Sequence, residues 1–497
     1  MNSSNTTTAP PRRFKWLRRL FWATVCFLSL VTVLWQWENW RSARELKEMR
    51  RQLIERIGTD DPLAFAPPKI ADHENYFAIP SIEAWATEPL EPGSHYKRYH
   101  IPEDAFWPKG LPRPELLENE VGGISQVKWA ASSDLEGESP AVALNRKLGD
   151  MNGLLPKLVE GLNRPFSCLK PGLREAQESA LGELWNTVIP NIGSLNQHQR
   201  ALDLHLRCAA MAGDRTKAWQ LAMISLRLFP ESAASHGSFV SALVALASHN
   251  IAFRGLQDAL SRPVWEERGL ALLQAQLAKE NDLHYTVSAL GRETLWMHAQ
   301  FLRGRERRLA WRSDDLLDQL SFGEPSERIC KWAIVMGPIG WHDADTAHYL
   351  RCIRLHIGPN AEDAWLDADK RRDEEQQLRS NVSFIAGVPI PNPRRFMTSV
   401  VTPNFGGIHT SAAKTLFHRR CLIFACELEK HRMQHGSYPT ALPELKGYEL
   451  SDPARPGHLP SYRLEPNGYL LWSAGPDAID DHGDTDKDWL WRMKRTP

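Results

Sequence analysis

The hydrophobic pattern of the chain begins with a nearly continuous apolar segment from Leu20 to Trp35, in which only threonine and serine interrupt the large apolar residues. An α-helix rises about 1.5 Å per residue, so such a segment covers most of a hydrocarbon core roughly 30 Å thick. The sequence therefore predicts a transmembrane anchor at residues 16–37. No second apolar run of this length is present, and a single span is expected.

Basic residues precede the apolar segment and predict its orientation: Arg12, Arg13, Lys15, Arg18 and Arg19. Positive flanks stay on the cytoplasmic side of a membrane. We therefore expect a cytoplasmic tail at residues 1–15 and an extracytoplasmic location for the bulk of the chain, at the inner membrane of a bacterial cell. A cleaved signal peptide is the alternative, but residues 34–37 (Leu-Trp-Gln-Trp) lack the small residues that a cleavage site needs.

The segment after the span changes from helical periodicity to a proline-rich pattern. Apolar residues at helical spacing predict a juxtamembrane helix over residues 38–58, which Gly58 ends. Prolines recur between residues 59 and 140, and this predicts an extended arm. The arm carries aromatic residues, including Tyr76 and Phe77, which we expect to pack on the next domain because flexible linkers lack large apolar residues.

Residues 141–387 read as an array of helices. The clearest unit is a predicted helical hairpin with two apolar stripes, at Ala201–Ala212 and Arg215–Phe229. Gly213 suits the left-handed position after the first helix, and Asp214 suits the N-cap of the second. This pattern resembles one tetratricopeptide-like repeat.

A weaker copy of the hairpin follows, with helices predicted at Leu243–Ala247 and Ile251–Leu260. Pro230 and Pro263 lie about one repeat length apart, near the 34-residue period of tetratricopeptide repeats. Further copies are not evident. The expected fold class is mainly α, with an irregular helical-hairpin array rather than a regular repeat protein.

A second extended connection is predicted at residues 388–410, and a small α+β module follows at residues 411–497. The module begins with an amphipathic helix at Leu416–His435, which Gly436 ends. Two strands, Tyr462–Glu465 and Tyr469–Ser473, flank a Pro-Asn-Gly turn and predict a β-hairpin.

The order of short motifs in this module carries a resemblance to a known family. A G-x-Y-P motif follows the helix at Gly436–Pro439, a D-P turn lies at Asp452, and an S-x-G-x-D turn lies at Ser473–Asp477. The module resembles the globular domain of type II secretion major pseudopilins. The chain is also similar to uncharacterised bacterial single-span proteins with an E-N-Y/F-A stretch like Glu74–Ala78.

The resemblance implies that calcium binds to the final acidic turn, as it does in pseudopilins. The candidate ligands are five carboxylates in one loop: Asp477, Asp480, Asp481, Asp484 and Asp486. Calcium prefers several hard oxygen ligands from carboxylates and main-chain carbonyls. A solvated acidic turn without a metal is the alternative interpretation.

Composition excludes some classes of protein. The 497 residues contain 60 Lys plus Arg and 60 Asp plus Glu, so the basic surplus of a general nucleic-acid binder is missing. The seven cysteines match no zinc-site spacing, and most are expected to be buried free thiols. Hydrolase and nucleotide-binding motifs are also absent from the sequence. The best metal-like cluster is His342, Asp345 and His348, but the two histidines are six residues apart and share a helix face poorly.

The sequence as a whole predicts a membrane-anchored extracytoplasmic structural or protein-interaction protein without catalysis. Its helical array would bind an unknown protein or peptide on a concave face, and a calcium-stabilised pseudopilin-like module would close the chain. The alternative is an envelope metal-dependent hydrolase with an unrecognised site.

Overall fold

A computed structural model describes part of the chain. It comprises residues 12–61, 69–79, 115–118, 124–128, 139–151, 153–167, 196, 198–228, 239–279, 282–307, 338–354, 356–357, 382–385, 388–391, 394–395, 398, 405–443, 445, 450–484 and 487–495.

Helices dominate the described residues, as the sequence predicts. Their bounds are α1 Arg12–Ile57, α2 Pro140–Leu148, α3 Leu154–Gly161, α4 198–211, α5 Arg215–Arg227, α6 Phe239–Leu260, α7 Glu267–Leu277, α8 Asp282–Arg307, α9 Ile339–Arg354 and α10 Phe405–His435. The strands are β1 Glu115–Glu118, β2 Ile124–Lys128, β3 Val382–Ile385, β4 Val388–Pro391, β5 Ser461–Glu465, β6 Gly468–Ser473 and β7 Trp489–Lys494. β1 pairs with β2, and β3 with β4, in two antiparallel hairpins.

The contacts divide the chain into two compact units. The first comprises Met1–Gly58, His298–Arg354 and Glu375–Pro403, and the second comprises Thr59–Met297, Leu355–Glu374 and Asn404–Pro497. This division differs from the predicted separation of a helical array from a C-terminal module. Each of the two units combines segments that are distant in sequence, which local patterns along the chain do not reveal.

In the first unit, α1 is one continuous helix of 46 residues, which joins the predicted span to the predicted juxtamembrane helix. It is the single helix within the described residues that is long and apolar enough to cross a membrane. Large apolar side chains are exposed along its first half, from Trp16 (66% exposed) to Trp40 (61%). Burial begins at Ser42 and continues with Leu46 and Leu53.

α9 packs along the second half of α1 and runs parallel to it. Near the start of α9, the Gly340 amide donates to Asn39 Oδ1 at 2.7 Å. At its end, Arg354 donates to Gln52 Oε1 at 2.7 Å. Because these contacts follow the same order in both helices, α9 and α1 are parallel, and the second half of α1 belongs to the packed part of the first unit.

In the second unit, the hairpin predicted between residues 201 and 229 is confirmed. Gly213 adopts a left-handed φ of +75°, which ends α4. The side chain of Asp214 accepts a hydrogen bond from the Lys217 amide at 3.1 Å and caps α5. These are the two roles that the sequence predicts for Gly213 and Asp214.

The predicted second hairpin is wrong, and tetratricopeptide-like repeats are not confirmed. Residues 239–260 form the single helix α6, without a turn at Ser248, His249 and Asn250. These polar residues instead bond between helices: the side-chain amide of Asn250 donates through Nδ2 to Thr415 Oγ1 at 3.1 Å, and His249 contacts Asp282. The polar residues that interrupt the apolar stripe of α6 therefore mark contacts with other helices, and they do not mark a turn.

α10 is the central helix of the second unit and begins at Phe405, before the predicted start at Leu416. The predicted extended connection at 388–410 therefore contains β4 and the beginning of α10. Fully buried side chains of α10 pack against α6 and α7 in one hydrophobic core. α10, which the sequence predicts as the first helix of a separate C-terminal module, thus shares a hydrophobic core with α6 and α7.

The proline-rich arm contributes to the same core through the Glu74–Ala78 stretch. The amide of Tyr76 donates to the Phe166 carbonyl at 2.8 Å, and Arg164 donates to the Asn75 carbonyl at 2.7 Å. The side chains of Tyr76 and Phe77 are 0% and 2% exposed. Their expected packing on the next domain is confirmed, and the arm's other predicted aromatic contacts lie outside the described residues.

A three-stranded antiparallel sheet of order β5-β6-β7 completes the second unit. The predicted hairpin corresponds to β5 and β6, and β7 is an additional strand. Gly468 allows the backbone of β7 to approach closely, because a Cβ at this position would collide with the Met493 carbonyl oxygen. The sheet packs on α10 through β7, and this arrangement fixes both ends of the acidic loop between β6 and β7.

Candidate functional site

The predicted acidic turn is the loop that connects β6 to β7. Its start is held by the buried Asp452, whose carboxylate accepts hydrogen bonds from the Ser473 hydroxyl and the Ala474 amide. Burial raises the pKa of Asp452, and these hydrogen bonds partly oppose the shift. Asp477, near the beginning of the loop, accepts a hydrogen bond from the Ile479 amide at 3.0 Å. Asp486 lies outside the described residues.

Asp480 is engaged by the surrounding protein. Its carboxylate accepts hydrogen bonds from Trp472 Nε1 at 2.8 Å, Ser461 Oγ at 3.1 Å and the His482 amide at 2.9 Å. The bond from Trp472 is the largest cause of a lowered pKa at Asp480. Arg455 also approaches it at 3.5 Å. Asp480 thus joins the loop to the sheet.

Asp481 combines an internal ion pair with an unsatisfied oxygen. Its Oδ1 atom accepts a hydrogen bond from Lys487 Nζ at 3.0 Å, while its buried Oδ2 atom has no hydrogen-bond partner among the residues that the structure describes. The hydrogen bond and the charge of Asp481 raise the pKa of Lys487, with smaller contributions from Asp484 and Asp477. The acidic loop therefore contains its own cation.

Asp488 organises the end of the loop, and the sequence interpretation missed it. Its side chain is buried and accepts hydrogen bonds from the Gly483 amide at 2.7 Å and the Asp481 amide at 3.4 Å. Asp488 could have been found from its position directly before β7, a strand in which the buried side chains of Trp489, Trp491 and Met493 alternate with less buried ones. Asp484 is exposed at the tip of the loop.

A second polar cluster, which sequence reasoning did not find, lies inside the helical core. Asp282 of α8 receives two hydrogen bonds from Arg419 of α10, from Nε at 2.7 Å and from Nη2 at 3.0 Å. His249 Nδ1 of α6 lies 2.6 Å from Asp282 Oδ1 and donates to it, because an ionised carboxylate only accepts. We call these three residues the buried charge cluster.

Electrostatics and packing stabilise the buried charge cluster. Burial alone raises the pKa of Asp282, but the charges and hydrogen bonds of Arg419 and His249 outweigh burial and hold it below its usual value. The guanidinium carbon of Arg419 also lies 5.0 Å from the ring centroid of Phe253. A cavity of about 10 Å³ beside the cluster has room for roughly one water molecule.

The metal-like cluster of α9 is spread over separate contacts. Asp345 accepts hydrogen bonds from the amide and hydroxyl of Thr398, at 3.0 and 2.6 Å. His342 packs edge-on against Phe301, and His348 lies 3.9 Å from the Cys352 sulfur. In the described part of the chain, no three His, Cys, Asp or Glu side chains are grouped so that they could hold a metal ion.

Comparisons with protein-family models, curated proteins and solved structures find no match to this chain.

The arrangement of the acidic loop and of the buried charge cluster therefore defines what each can do chemically. The loop presents oxygen atoms to solvent at Asp477 and Asp484, which suits a hard cation. The buried charge cluster lies beside a cavity with room for roughly one water molecule, and its paired charges join α6, α8 and α10. We treat it as a structural cluster.

Proposed function

We propose that this chain is a membrane-anchored extracytoplasmic structural or protein-interaction protein. The observation that carries the proposal is the change in exposure along α1. The first half of α1 leaves large apolar side chains exposed, and each Å² of apolar surface in contact with water costs about 25 cal/mol of free energy. Lipid removes that cost. Its second half buries Leu46 and Leu53 within the first unit.

The orientation follows from the basic residues that precede the span, which favour a cytoplasmic N-terminus at the inner membrane. With that orientation the second unit lies outside the cytoplasm. Apolar side chains remain exposed on its C-terminal sheet and loops, at Leu459 (44%), Leu464 (41%) and Ile479 (60%). They supply apolar contact area for a protein or peptide partner.

Carbonate extraction of membranes tests the anchor. Leu28→Arg places a charge in the middle of the apolar half of α1, at a cost of about 2.5–3.5 kcal/mol for insertion. We expect the native chain to remain in the membrane pellet and Leu28→Arg to shift to the soluble fraction. The matched control is Glu55→Arg, which changes an exposed residue of the second half. Complete release of the native chain by carbonate would exclude an integral anchor.

Site-specific crosslinking in native membranes tests the partner. A photoreactive amino acid at Leu464 or Ile479 is expected to yield a discrete crosslinked product of higher mass. The same amino acid at Arg215, an exposed polar position, serves as the control. If neither apolar position gives a product that the control lacks, the exposed apolar side chains do not contact a protein partner.

We further propose that the C-terminal part of the second unit is pseudopilin-like and stabilised by calcium. Two observations support this proposal. α10 is followed by the β5–β6 hairpin and then by the acidic loop, and the buried Oδ2 atom of Asp481 has no hydrogen-bond partner among the described residues. Asp477, Asp481 and Asp484 fit as ligands through their carboxylates. Lys487 opposes binding, because its ammonium group occupies one side of Asp481 and would have to move away.

Calcium titration of the detergent-solubilised chain tests this proposal. Calcium is expected to raise the Tm of the native chain, and the double variant Asp477→Ala/Asp481→Ala is expected to abolish the shift. Lys487→Met removes the internal cation and should tighten calcium binding. Equal effects of calcium on the native chain and on the double variant would refute the site.

A further inference from the structure

Two histidines lie one helical turn apart at the C-terminal end of α10. His431 and His435 are four residues apart and therefore occupy one face of the helix. Their rings stack with centroids 4.2 Å apart and an interplanar angle of 24°. Both residues reach the solvent, so the pair is open to a small ligand.

Main-chain carbonyls hold the Nδ1 atom of each ring. His431 Nδ1 lies 3.0 Å from the Ser437 carbonyl oxygen, and His435 Nδ1 lies 3.0 Å from the His431 carbonyl oxygen. A carbonyl oxygen only accepts, so each Nδ1 must carry the hydrogen. Each neutral imidazole then keeps its lone pair on Nε2.

The chain after α10 explains how Ser437 reaches His431. Gly436 adopts a φ of +78°, which reverses the backbone at the end of the helix. The reversal turns the Ser437 carbonyl towards the last helical turn. The turn at Gly436 and Ser437 therefore fixes the tautomer of His431, which lies more than one helical turn earlier in the sequence.

We propose that His431 and His435 bind a divalent first-row transition-metal ion through their two Nε2 atoms, with the two rings turning out of their stacked arrangement so that both lone pairs point at one ion. Two histidines at this spacing on one helix face are a known arrangement for binding zinc. Metal-binding histidines usually donate their other ring N–H to a carbonyl or a carboxylate, as both rings do here. Imidazole suits Zn²⁺, Ni²⁺ and Cu²⁺, with Cu²⁺ bound most tightly by a given set of ligands.

The neighbouring carboxylates are engaged elsewhere, so the described part of the chain supplies two ligands, His431 and His435. Glu427, one turn before His431, pairs with Lys430 at 2.5 Å. Glu429 accepts hydrogen bonds from Arg432 at 2.9 Å and from Tyr438 at 2.5 Å. Water completes the coordination, and the bound ion can accept a further ligand from outside the chain. This site depends neither on the acidic loop nor on the membrane anchor.

Metal titration of the full chain in detergent tests the site, with NiCl₂ and CuSO₄ as the probes. Calorimetry measures affinity, and electron paramagnetic resonance of the Cu²⁺ form counts the coordinating nitrogens. We expect one site with two imidazole nitrogens in the native chain. His435→Gln should leave one nitrogen and weaken binding roughly tenfold or more.

The matched control is His458→Gln, which changes an exposed histidine far along the sequence from the pair and should leave the site intact. The double variant His431→Gln/His435→Gln should lose the two-nitrogen signal. The Tm of each variant without metal shows that the fold is retained. If the double variant keeps both the native affinity and the two-nitrogen spectrum, His431 and His435 are not the ligands and the proposal is wrong.

Discussion

At the scale of single residues, the buried charge cluster is the most constrained polar feature of the second unit. Asp282 and Arg419 are 1% and 2% exposed, so neither charge reaches bulk water. Removing a charged group from water costs several kcal/mol, and only well-aligned partners offset that cost. The two bonds from Arg419 and the contact with His249 provide this alignment.

Asp282→Asn is predicted to lower the free energy of unfolding by about 3–5 kcal/mol, because it leaves the Arg419 charge buried without its partner. Urea denaturation of the detergent-solubilised chain measures the change. The double variant Asp282→Asn/Arg419→Met should cost less than the sum of its two single variants. Arg215→Met, which breaks an exposed pair with Glu266, is the control and should change stability little. Additive single and double variants would show that the two residues are not coupled.

Two histidines with lowered pKa values predict how stability depends on pH. Burial lowers the pKa of His198 to about 3, and burial with the charges of Lys414 and Arg254 lowers the pKa of His418 to about 4. Unfolding returns both imidazoles to an ordinary pKa of about 6.5, so the unfolded chain binds more protons below that pH. Stability should therefore be full above pH ~6.5 and fall as the pH drops towards 4.

Urea denaturation between pH 7 and pH 4 measures this dependence. Each histidine contributes a slope of at most about 1.4 kcal/mol per pH unit. His418→Gln removes one titrating group and should flatten the curve by up to that amount. The interpretation fails if stability rises on acidification over this range, or if His418→Gln leaves the slope unchanged.

At the scale of elements, the sequence predicted what depends on local patterns. The α4–α5 hairpin and the β5–β6 hairpin follow from glycine, a capping aspartate and short apolar stripes, all close in sequence. α6 was predicted as two helices because His249 and Asn250 interrupt its apolar stripe. Their partners, Asp282 and Thr415, lie on other helices that local periodicity does not reveal.

The contacts of the acidic loop likewise could not be predicted from local sequence patterns. Its carboxylates are evident in the sequence, but their roles depend on distant donors. Trp472 and Ser461 engage Asp480 from two strands, and Lys487 pairs with Asp481 across the loop. The strand β7 could have been predicted, because Trp489, Trp491 and Met493 alternate with less buried residues.

The packing of α9 on α1 depends on a close approach at Gly340. A Cβ there would lie 2.7 Å from the Glu38 carbonyl oxygen and 2.8 Å from Asn39 Cα. Both are main-chain atoms, which cannot move aside as a flexible side chain can. Gly340→Ala is therefore predicted to destabilise the first unit by about 1–3 kcal/mol through overpacking.

Calorimetry of the detergent-solubilised chain measures the effect as a lower Tm. Gly269→Ala in α7 is the matched control, because its Cβ would meet only the Trp219 side chain at 3.4 Å. Alanine has the higher helix propensity, so this variant should be neutral or stabilising by up to ~1 kcal/mol. If both variants behave alike, the helices do not approach each other as closely as described.

At the scale of the whole molecule, α1 continues without a break from the apolar segment that could cross a membrane into the folded first unit. Composition and apolar length predicted a helix that is long and apolar enough to cross a membrane, because these are local and continuous properties of the chain. The sharing of one core by the arm, the central helices and the C-terminal sheet was not predictable, since it depends on contacts between distant segments. The proposed function requires that this core lies on the extracytoplasmic side of the membrane.

Paired reporter fusions in a bacterial host test this claim most directly. A phosphatase that folds only outside the cytoplasm and a fluorescent protein that folds only inside it are each fused after Arg495. The account predicts an active phosphatase and a dark fluorescent protein, with the reverse result for fusions placed before Arg12. A fluorescent and phosphatase-negative fusion after Arg495 would contradict the extracytoplasmic location on which the proposed function depends.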